Sequence, residues 1–411
     1  MVASFLAHPM AWIVGIFLAV AWWSRLVAAA INMPKIPEIS GNEFDTIPTD
    51  SAGKVPRVSI VVPARDEAEH IEAALRSLLE LDYPDYEVIA VDDRSQDATG
   101  EILDRMLESW RTRGEELHHR LKVVHIRELP SGWLGKTHAM WTAGKRAEGD
   151  WILFTDADVV YRADALRRAV VYAEHAQADH MVLFPTMVMK SAGEQMMIAF
   201  FQSQFTFARR PWKAADTKSL EAIGVGAFNL IRREVYEKIG SYERMRLEVL
   251  DDMRLGEVVK ENGFRQRVAF GKDLLRLRWV TGAAGMVRNL AKNGFAILKF
   301  NPWFAAMAIA GVMFVNAGPF VGAAVVGGWA RIGFIAALAA IVCVYVGMSW
   351  VSEVRPWYVV LHPIGTILFC YALARSAVLT LARGGVEWRG SLYSLAELRE
   401  FMREHPRPIW L

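Results

Sequence analysis

Trp151-Ile152-Leu153-Phe154-Thr155-Asp156-Ala157-Asp158 is an apolar run that ends in two carboxylates one residue apart. In an extended segment, side chains at i and i+2 point the same way, so Asp156 and Asp158 can face one site. Two acids on one face repel each other unless something positive lies between them. A divalent cation, Mg²⁺ or Mn²⁺, bound through oxygens and shared with substrate phosphates, relieves that repulsion. The alternative is a helix N-terminus that carries two acids, a place where Asp is favoured. The surrounding segments separate these readings.

Working outward, Val58-Ser59-Ile60-Val61-Val62-Pro63 is a β-branched run ended by proline, as in a strand buried on both faces. Glu67 to Leu81 carries Ile71, Leu75, Leu78 and Leu79 at helical spacing. Val88–Val91, Leu121–Ile126, Trp151–Phe154 and Met181–Phe184 read as further strands, separated by helices over 98–110, 137–146 and 162–176. Strands alternating with helices of this length predict an α/β fold around a mainly parallel sheet. In such sheets ligands bind at the carboxyl ends of the strands. Arg65-Asp66-Glu67, Asp92-Asp93 and the Asp156/Asp158 pair all fall there.

Asp92-Asp93-Arg94-Ser95-Gln96-Asp97 follows the second strand and opens a helix. Capping explains one of these residues, whereas adjacent acids at a strand end suit a nucleobase N–H or a ribose hydroxyl. Gly132-Trp133-Leu134-Gly135-Lys136 precedes a helix, whose backbone N–H groups and the lysine suit a diphosphate; a solvent lysine in a turn is the alternative. Gly224-Val225-Gly226 allows either close backbone approach to a ligand or a tight turn. In Leu250-Asp251-Asp252, Asp251 suits a helix cap and Asp252 a general base toward an attacking hydroxyl.

The 411 residues are unevenly apolar. Stretches 1–24, 303–329 and 332–352 carry no Asp, Glu, Lys or Arg, and each is long enough to cross a hydrocarbon layer about 30 Å thick. A fourth, 356–374, contains His362 and Pro363 and is expected to be kinked or re-entrant. Arg25 follows the first stretch and no positive charge precedes it, which favours an uncleaved anchor over a signal peptide cut near Ala28-Ala29-Ala30. The same asymmetry puts the polar domain in the cytoplasm of a multi-pass protein of the cell (inner) membrane. An anchor plus three full spans would leave the tail outside, yet from Arg383 onward it carries five arginines against four glutamates, which leans inside. One later segment is therefore expected not to cross fully. Helices over 193–213 and 286–301 mix apolar and basic residues, fitting either the membrane surface or core packing. The expected organisation is an anchor (1–31), a linker (32–54), an α/β domain (55–285), an interfacial helix (286–301), membrane segments (302–382) and a tail (383–411). Cys343 and Cys370 both lie in apolar segments, so no disulfide framework exists. With a net charge of +2 and no basic stripe with interleaved aromatics, nucleic acid is not an expected partner.

In order, Val62-Pro63-Ala64-Arg65-Asp66-Glu67, Val91–Asp97, Thr155–Asp158 and Leu250-Asp251-Asp252 resemble the family 2 glycosyltransferases of GT-A fold, over about residues 57–265. Gly132–Lys136 and Trp388-Arg389-Gly390-Ser391-Leu392-Tyr393 are similar to its membrane-anchored subgroup, which includes the hopene-associated and carotenoid glycosyltransferases. The resemblance implies that Pro63, Ala64 and Glu67 line a nucleoside pocket and that Asp93 contacts the base, with Asp92 beside it. It implies Lys136 near the donor phosphates, Asp156 and Asp158 on ribose and metal with Asp158 the more direct ligand, and Asp252 as the base of an inverting displacement. Processive synthases of the family carry Gln-x-x-Arg-Trp. Here Leu275-Arg276-Leu277-Arg278-Trp279 has leucine in the glutamine position, so single-sugar transfer is expected.

The expected reaction moves one sugar from a nucleotide sugar, a UDP-sugar first, to a hydroxyl of a membrane lipid, with Mg²⁺ or Mn²⁺ assisting. Transfer to a polyprenyl phosphate is the alternative. A processive polysaccharide synthase and a non-catalytic membrane scaffold rank below both.

Overall fold

The computed structural model describes residues 9–47, 49, 53–112 and 120–406. Residues 1–8 of the expected anchor, 48 and 50–52 of the linker and 407–411 of the tail lie outside the described residues. In chain order the strands are β1 (Val58–Ala64), β2 (Tyr86–Asp93), β3 (Leu121–Ile126), β4 (Trp151–Phe154), β5 (Val160–Tyr161) and β6 (His180–Phe184). They continue with β7 (Thr186–Met187), β8 (Asn229–Arg232), β9 (Gln266–Phe270), β10 (Leu275–Leu277), β11 (Gly385–Trp388) and β12 (Ser391–Ser394).

The main sheet has seven strands in the order β3-β2-β1-β4-β8-β6-β9. Every neighbouring pair is parallel except those of β8, which runs antiparallel to β4 and β6. The period-two rule divides its side chains between two cores. Val58, Ile60, Val62, Val88 and Leu153 pack under helices Ile71–Leu79, Thr99–Arg111 and Ala165–His175. Val61, Ile89, Val91, Ile152 and Phe154 pack under Gly135–Gly144, Arg233–Lys238 and Asp251–Glu261. Burial on both faces is why the first strands read as continuous apolar runs.

Two departures from the sequence reading matter for the site. The helix expected from Glu67 begins at Ile71, because the preceding backbone is held as a loop. Asp66 has φ 54°, and the N–H groups of Asp66, Glu67 and Ala68 donate to Ser95 Oγ (3.0 Å), Thr99 Oγ1 (2.8 Å) and Asp97 Oδ2 (3.0 Å). Antiparallel β8 is the second. Asn229 pairs with Phe154, so the start of β8 meets the carboxyl end of β4 and delivers the loop 224–228 to the ligand-binding end of the sheet.

Among the described residues, four helical stretches are long and apolar enough to cross a membrane: Pro9–Lys35, Pro302–Val325, Gly328–Val351 and Pro356–Arg383. The first and third approach closely through small residues; a Cβ on Gly333 would lie 2.5 Å from the carbonyl carbon of Gly15. Helix Ala192–Arg209 packs its Met196–Phe200 face between the sheet domain and these stretches, so its apolar side is core. Phe200 sits 5.1 Å from the His362 ring and 5.3 Å from Phe369, between centroids.

His362 opens the last long helix, His362–Arg383, and fixes its depth. Its ring nitrogens hydrogen-bond Tyr345 Oη (3.0 Å) and Asn316 Oδ1 (3.2 Å), and Asn316 also accepts from Gln204 (3.0 Å). Asn316 lies well inside Pro302–Val325. Further along, Cys370 Sγ reaches Ile309 O (3.8 Å), and Ala377 shares a buried cluster with Ala305. The last helix thus starts beside the middle of Pro302–Val325, runs antiparallel to it and ends at the sheet domain. The β11–β12 hairpin then folds onto the ligand-binding end of the sheet.

Candidate active site

The carboxyl ends of β1, β2 and β4, the loop before β8 and the first turn of Asp251–Glu261 converge on one acidic cluster. Lys136, in the first turn of Gly135–Gly144, lies at its centre. Its Nζ is 2.8 Å from Asp156 Oδ1 and 3.2 Å from Asp251 Oδ2. Burial opposes its charge, but Asp156, Asp251 and Asp252 hold its pKa above the ordinary lysine value. Burial would likewise raise Asp156, yet Lys136, Lys292 and Arg389 outweigh it and hold the carboxyl below the usual range.

The other acids behave oppositely. Burial, then the charges of Asp156 and Glu67, push Asp158 up to about 7. No lysine, arginine or histidine pairs with Asp158 among the described residues. Burial also brings Asp251 up to about 6, with Asp252 and Asp156 adding to the shift and Lys136 opposing it. Asp252 is raised by burial although Lys136 pulls the other way. Its Oδ2 accepts from Gly226 N (2.9 Å) and its Oδ1 from Met253 N (2.7 Å).

The Gly-x-Gly stretch approaches these acids directly. A Cβ on Gly226 would lie 2.2 Å from Asp156 Oδ2, and one on Gly224 would lie 1.8 Å from the Asp252 carbonyl oxygen. Asp156 N donates to Gly226 O (2.9 Å). Glycine is needed because the loop runs against both carboxylate-bearing segments. That contact is invisible in a local motif.

Upstream, Asp92 and Asp93 divide their work. Asp92 accepts from Ser95 N (3.1 Å) and pairs with His125 Nδ1 (3.0 Å), bracing the turn after β2. Asp93 is held by Arg94, at 2.7 Å from Nε and 3.0 Å from an Nη. Pro63 and Ala64 lie beside Val91 and Asp92 in the sheet register, at the same end. Glu67 is paired with Arg389 of the tail hairpin, and Arg389 also donates to Asp66 O (3.2 Å). Gly135 N donates to Tyr393 Oη (3.1 Å). The tail therefore touches both the expected nucleoside side and the lysine-bearing helix. No sequence pattern links Tyr393 to Gly135 or His125 to Asp92; only the Trp388–Tyr393 resemblance pointed toward the hairpin.

Arg278-Trp279 anchors the chain after β10 to helix Ala192–Arg209. Arg278 pairs with buried Glu194 (2.8 Å), and Trp279 packs on Phe201 at 4.6 Å between ring centroids. Leu275 is buried in β10.

As for metal, Asp156 and Asp158 offer only oxygens, the donor type that Mg²⁺ and Mn²⁺ prefer. The raised Asp158 carboxyl lacks a cation, so the pair fits a divalent ion. Among the described residues no group of three or more His, Cys, Asp or Glu gathers as a metal site, so further ligands would come from substrate and water.

Residues 59–240 match the family described as Glycosyl transferase family 2. Over these residues the chain is similar to the family 2 glycosyltransferases. It is 30% identical over 208 residues to the beta-monoglucosyldiacylglycerol synthase of Synechocystis sp., covering 47% of this chain and 40% of that protein. It is 22% identical over 204 residues to the 4,4'-diaponeurosporenoate glycosyltransferase of Staphylococcus haemolyticus, covering 49% of this chain and 50% of that protein. The chain thus spans about half, or less, of the length of these relatives. The mannosyltransferase PcManGT of Pyrobaculum calidifontis, solved with GDP-Man and Mn2+, shares the fold with a TM-score of 0.52, 20% identity and coverage of 90% of this chain and 98% of that one. The chain therefore shares the GT-A fold, and its residues 59–240 match a glycosyltransferase family in which the relatives above include a beta-monoglucosyldiacylglycerol synthase and a 4,4'-diaponeurosporenoate glycosyltransferase.

Proposed function

We propose that the protein transfers a single sugar, with inversion, from a nucleotide sugar to a hydroxyl of a membrane lipid. The observation that carries this reading is the meeting of Asp156, Lys136, Asp251 and Asp252 at one end of a GT-A sheet, in a chain whose long apolar helices pack on helix Ala192–Arg209 of the same domain. The acceptor oxygen bonds to the anomeric carbon, the bond from that carbon to the diphosphate breaks, and the nucleotide diphosphate leaves with the electron pair. Asp252 takes the acceptor proton; its burial raises its proton affinity, which makes it a better base than an exposed aspartate. Asp251 stays paired with Lys136 and orients it. Pro63, Ala64, Glu67 and Asp93 form the nucleoside side of the site. Asp156 and Asp158 would hold a divalent metal, which when bound supplies positive charge against the departing diphosphate. A UDP-sugar is the first donor to test, and GDP-mannose the second, since PcManGT was solved with it.

The apolar helices support a reaction at a bilayer. In our reading Pro9–Asn32, Pro302–Val325 and Arg331–Val351 cross, whereas 356–383 enters and leaves on the catalytic side. Three complete crossings after the domain would separate the tail from a site it touches through Arg389 and Tyr393. Arg25, on the domain side of the first stretch, supports a cytoplasmic domain at the inner membrane.

The test is release of nucleotide diphosphate by purified protein across UDP- and GDP-sugars with a lipid extract as acceptor, in Mg²⁺, Mn²⁺ or EDTA. Metal-dependent release coupled to a glycolipid product is expected. Release that is equally fast in EDTA would remove the metal role of Asp156 and Asp158, and no release with any donor would remove the enzymatic reading. Gly226→Ala is expected to lower turnover by about 10²-fold, because its Cβ would displace Asp156 by a substantial fraction of an ångström or more. Comparing the rate with the melting temperature of the same variant checks that prediction.

A further inference from the structure

A cavity of about 230 Å³ lies between helix Gly282–Ile297, the end of His362–Arg383 and the β11 hairpin. Its walls include Arg288, Lys292, Leu379, Thr380, Arg383 and Trp388. Arg383 is neutralised by Glu387, and Lys292 lies 4.6 Å above the Trp388 ring. Arg288 and Lys292 stand one helical turn apart, and neither forms an ion pair with a carboxylate among the described residues. Like charges at this spacing repel, and an anion between them would relieve the cost. Lys292 also lies close enough to Asp156, Asp251 and Lys136 to feel their charges, so the cavity adjoins the acidic cluster.

The apolar side of the cavity points to the kind of anion. Leu379 and Thr380 belong to the last turns of a helix that is long and apolar enough for a membrane. On the same helix Val378 (63%) and Leu381 (44%) are exposed, beside a hairpin that exposes Leu392 (59%). A small hydrophilic anion has no use for that surface. An amphiphile can lay its chains along it and bring its head group to the two cations.

We propose that Arg288 and Lys292 form a subsite for an anionic group, a phosphate or carboxylate, in the head of the lipid acceptor. The assignment rests on the glycosyl-transfer reading above and narrows its acceptor to acidic amphiphiles, with the attacking hydroxyl reaching Asp252 from the adjoining cavity.

The test measures binding to the purified full chain without any donor, so that it stands apart from turnover. Probes are dihexanoyl phosphatidic acid, dihexanoyl phosphatidylcholine and inorganic phosphate, titrated by calorimetry below the micellar concentration of the lipids. Phosphatidic acid is expected to bind at least about tenfold more tightly than either of the others. Arg288→Gln with Lys292→Gln should abolish that preference, whereas the charge-keeping pair Arg288→Lys with Lys292→Arg should retain it. Equal binding of phosphatidic acid and phosphatidylcholine, or an unchanged preference in the double glutamine variant, overturns the subsite. So does loss of the preference in the charge-keeping pair. Inorganic phosphate binding as tightly as phosphatidic acid assigns the cavity to a soluble anion and overturns the head-group assignment. Failure of nucleotide release with every donor would sink the enzymatic reading and leave these binding results standing.

Discussion

Asp252→Asn is expected to lower kcat for transfer to a hydroxyl acceptor by about 10²–10⁴-fold, with little change in donor KM and in melting temperature. The magnitude is that of losing a positioned general base. Asp252 differs from its neighbour Asp251 in a way that decides the role. Asp251 is buried and spent on Lys136, whereas Asp252 is half-buried and takes only backbone N–H groups from Gly226 and Met253. An asparagine can keep one of those two bonds, so the fold persists while the proton acceptor is gone. Activity of the native protein should fall as pH drops and Asp252 becomes protonated. Turnover that survives Asp252→Asn would show that the acceptor oxygen is already ionised, which transfers the assignment to a polyprenyl phosphate. In that case the anion held by Arg288 and Lys292 would itself be the nucleophile.

Asp158→Asn is expected to have opposite effects on activity and stability. Its carboxyl is raised from 3.8 to about 7 by burial and by the charges of Asp156 and Glu67. A carboxyl with a raised folded-state pKa binds an extra proton in the folded protein between those two values. Stability from this group is therefore fully present below about 4 and lost as pH rises through about 7. In metal-free buffer the native protein should lose melting temperature between pH 5 and pH 8. Asp158→Asn should flatten that dependence and raise the melting temperature at pH 8 by about 2–4 °C. Sugar transfer should fall by at least about 10²-fold, because the variant cannot ligate a cation as a carboxylate does. Mn²⁺ should raise the melting temperature of the native protein at pH 8 and leave the variant unchanged. A variant that melts earlier at pH 8, or that responds to Mn²⁺ like the native protein, would remove Asp158 from the metal site.

Much of this candidate site is legible in the sequence. Trp151–Phe154 read correctly as a strand and Val58–Pro63 as one buried on both faces, because β-branched and apolar runs are local properties, whereas Asp156 and Asp158 lie beyond the strand, with Ala157-Asp158 in a turn rather than an extended segment. The Asp92-Asp93 and Asp156/Asp158 stations lie at the carboxyl ends of β2 and β4, where the strand-end rule put them, whereas Asp251-Asp252 reaches the same end from the first turn of a helix, which the rule did not cover. The rule did not distinguish the members of each pair. Asp92 braces His125 while Asp93 faces Arg94 and Gly135, and that division depends on which strand lies alongside.

Sequence by itself determined the alternation that builds the sheet, the order of the acidic stations, the long apolar stretches and the family resemblance. All of these follow from residues within one turn, one strand or one motif of each other. Tertiary structure decided the rest. Antiparallel β8 brings Gly224 and Gly226 against Asp252 and Asp156, Lys136 bridges acids from two distant segments, and a helix that starts beside Asn316 returns the tail to Glu67 and Gly135. Each of these contacts joins residues tens to hundreds of positions apart, and its energy exists only once burial and pairing have removed the alternatives that water offers each group alone.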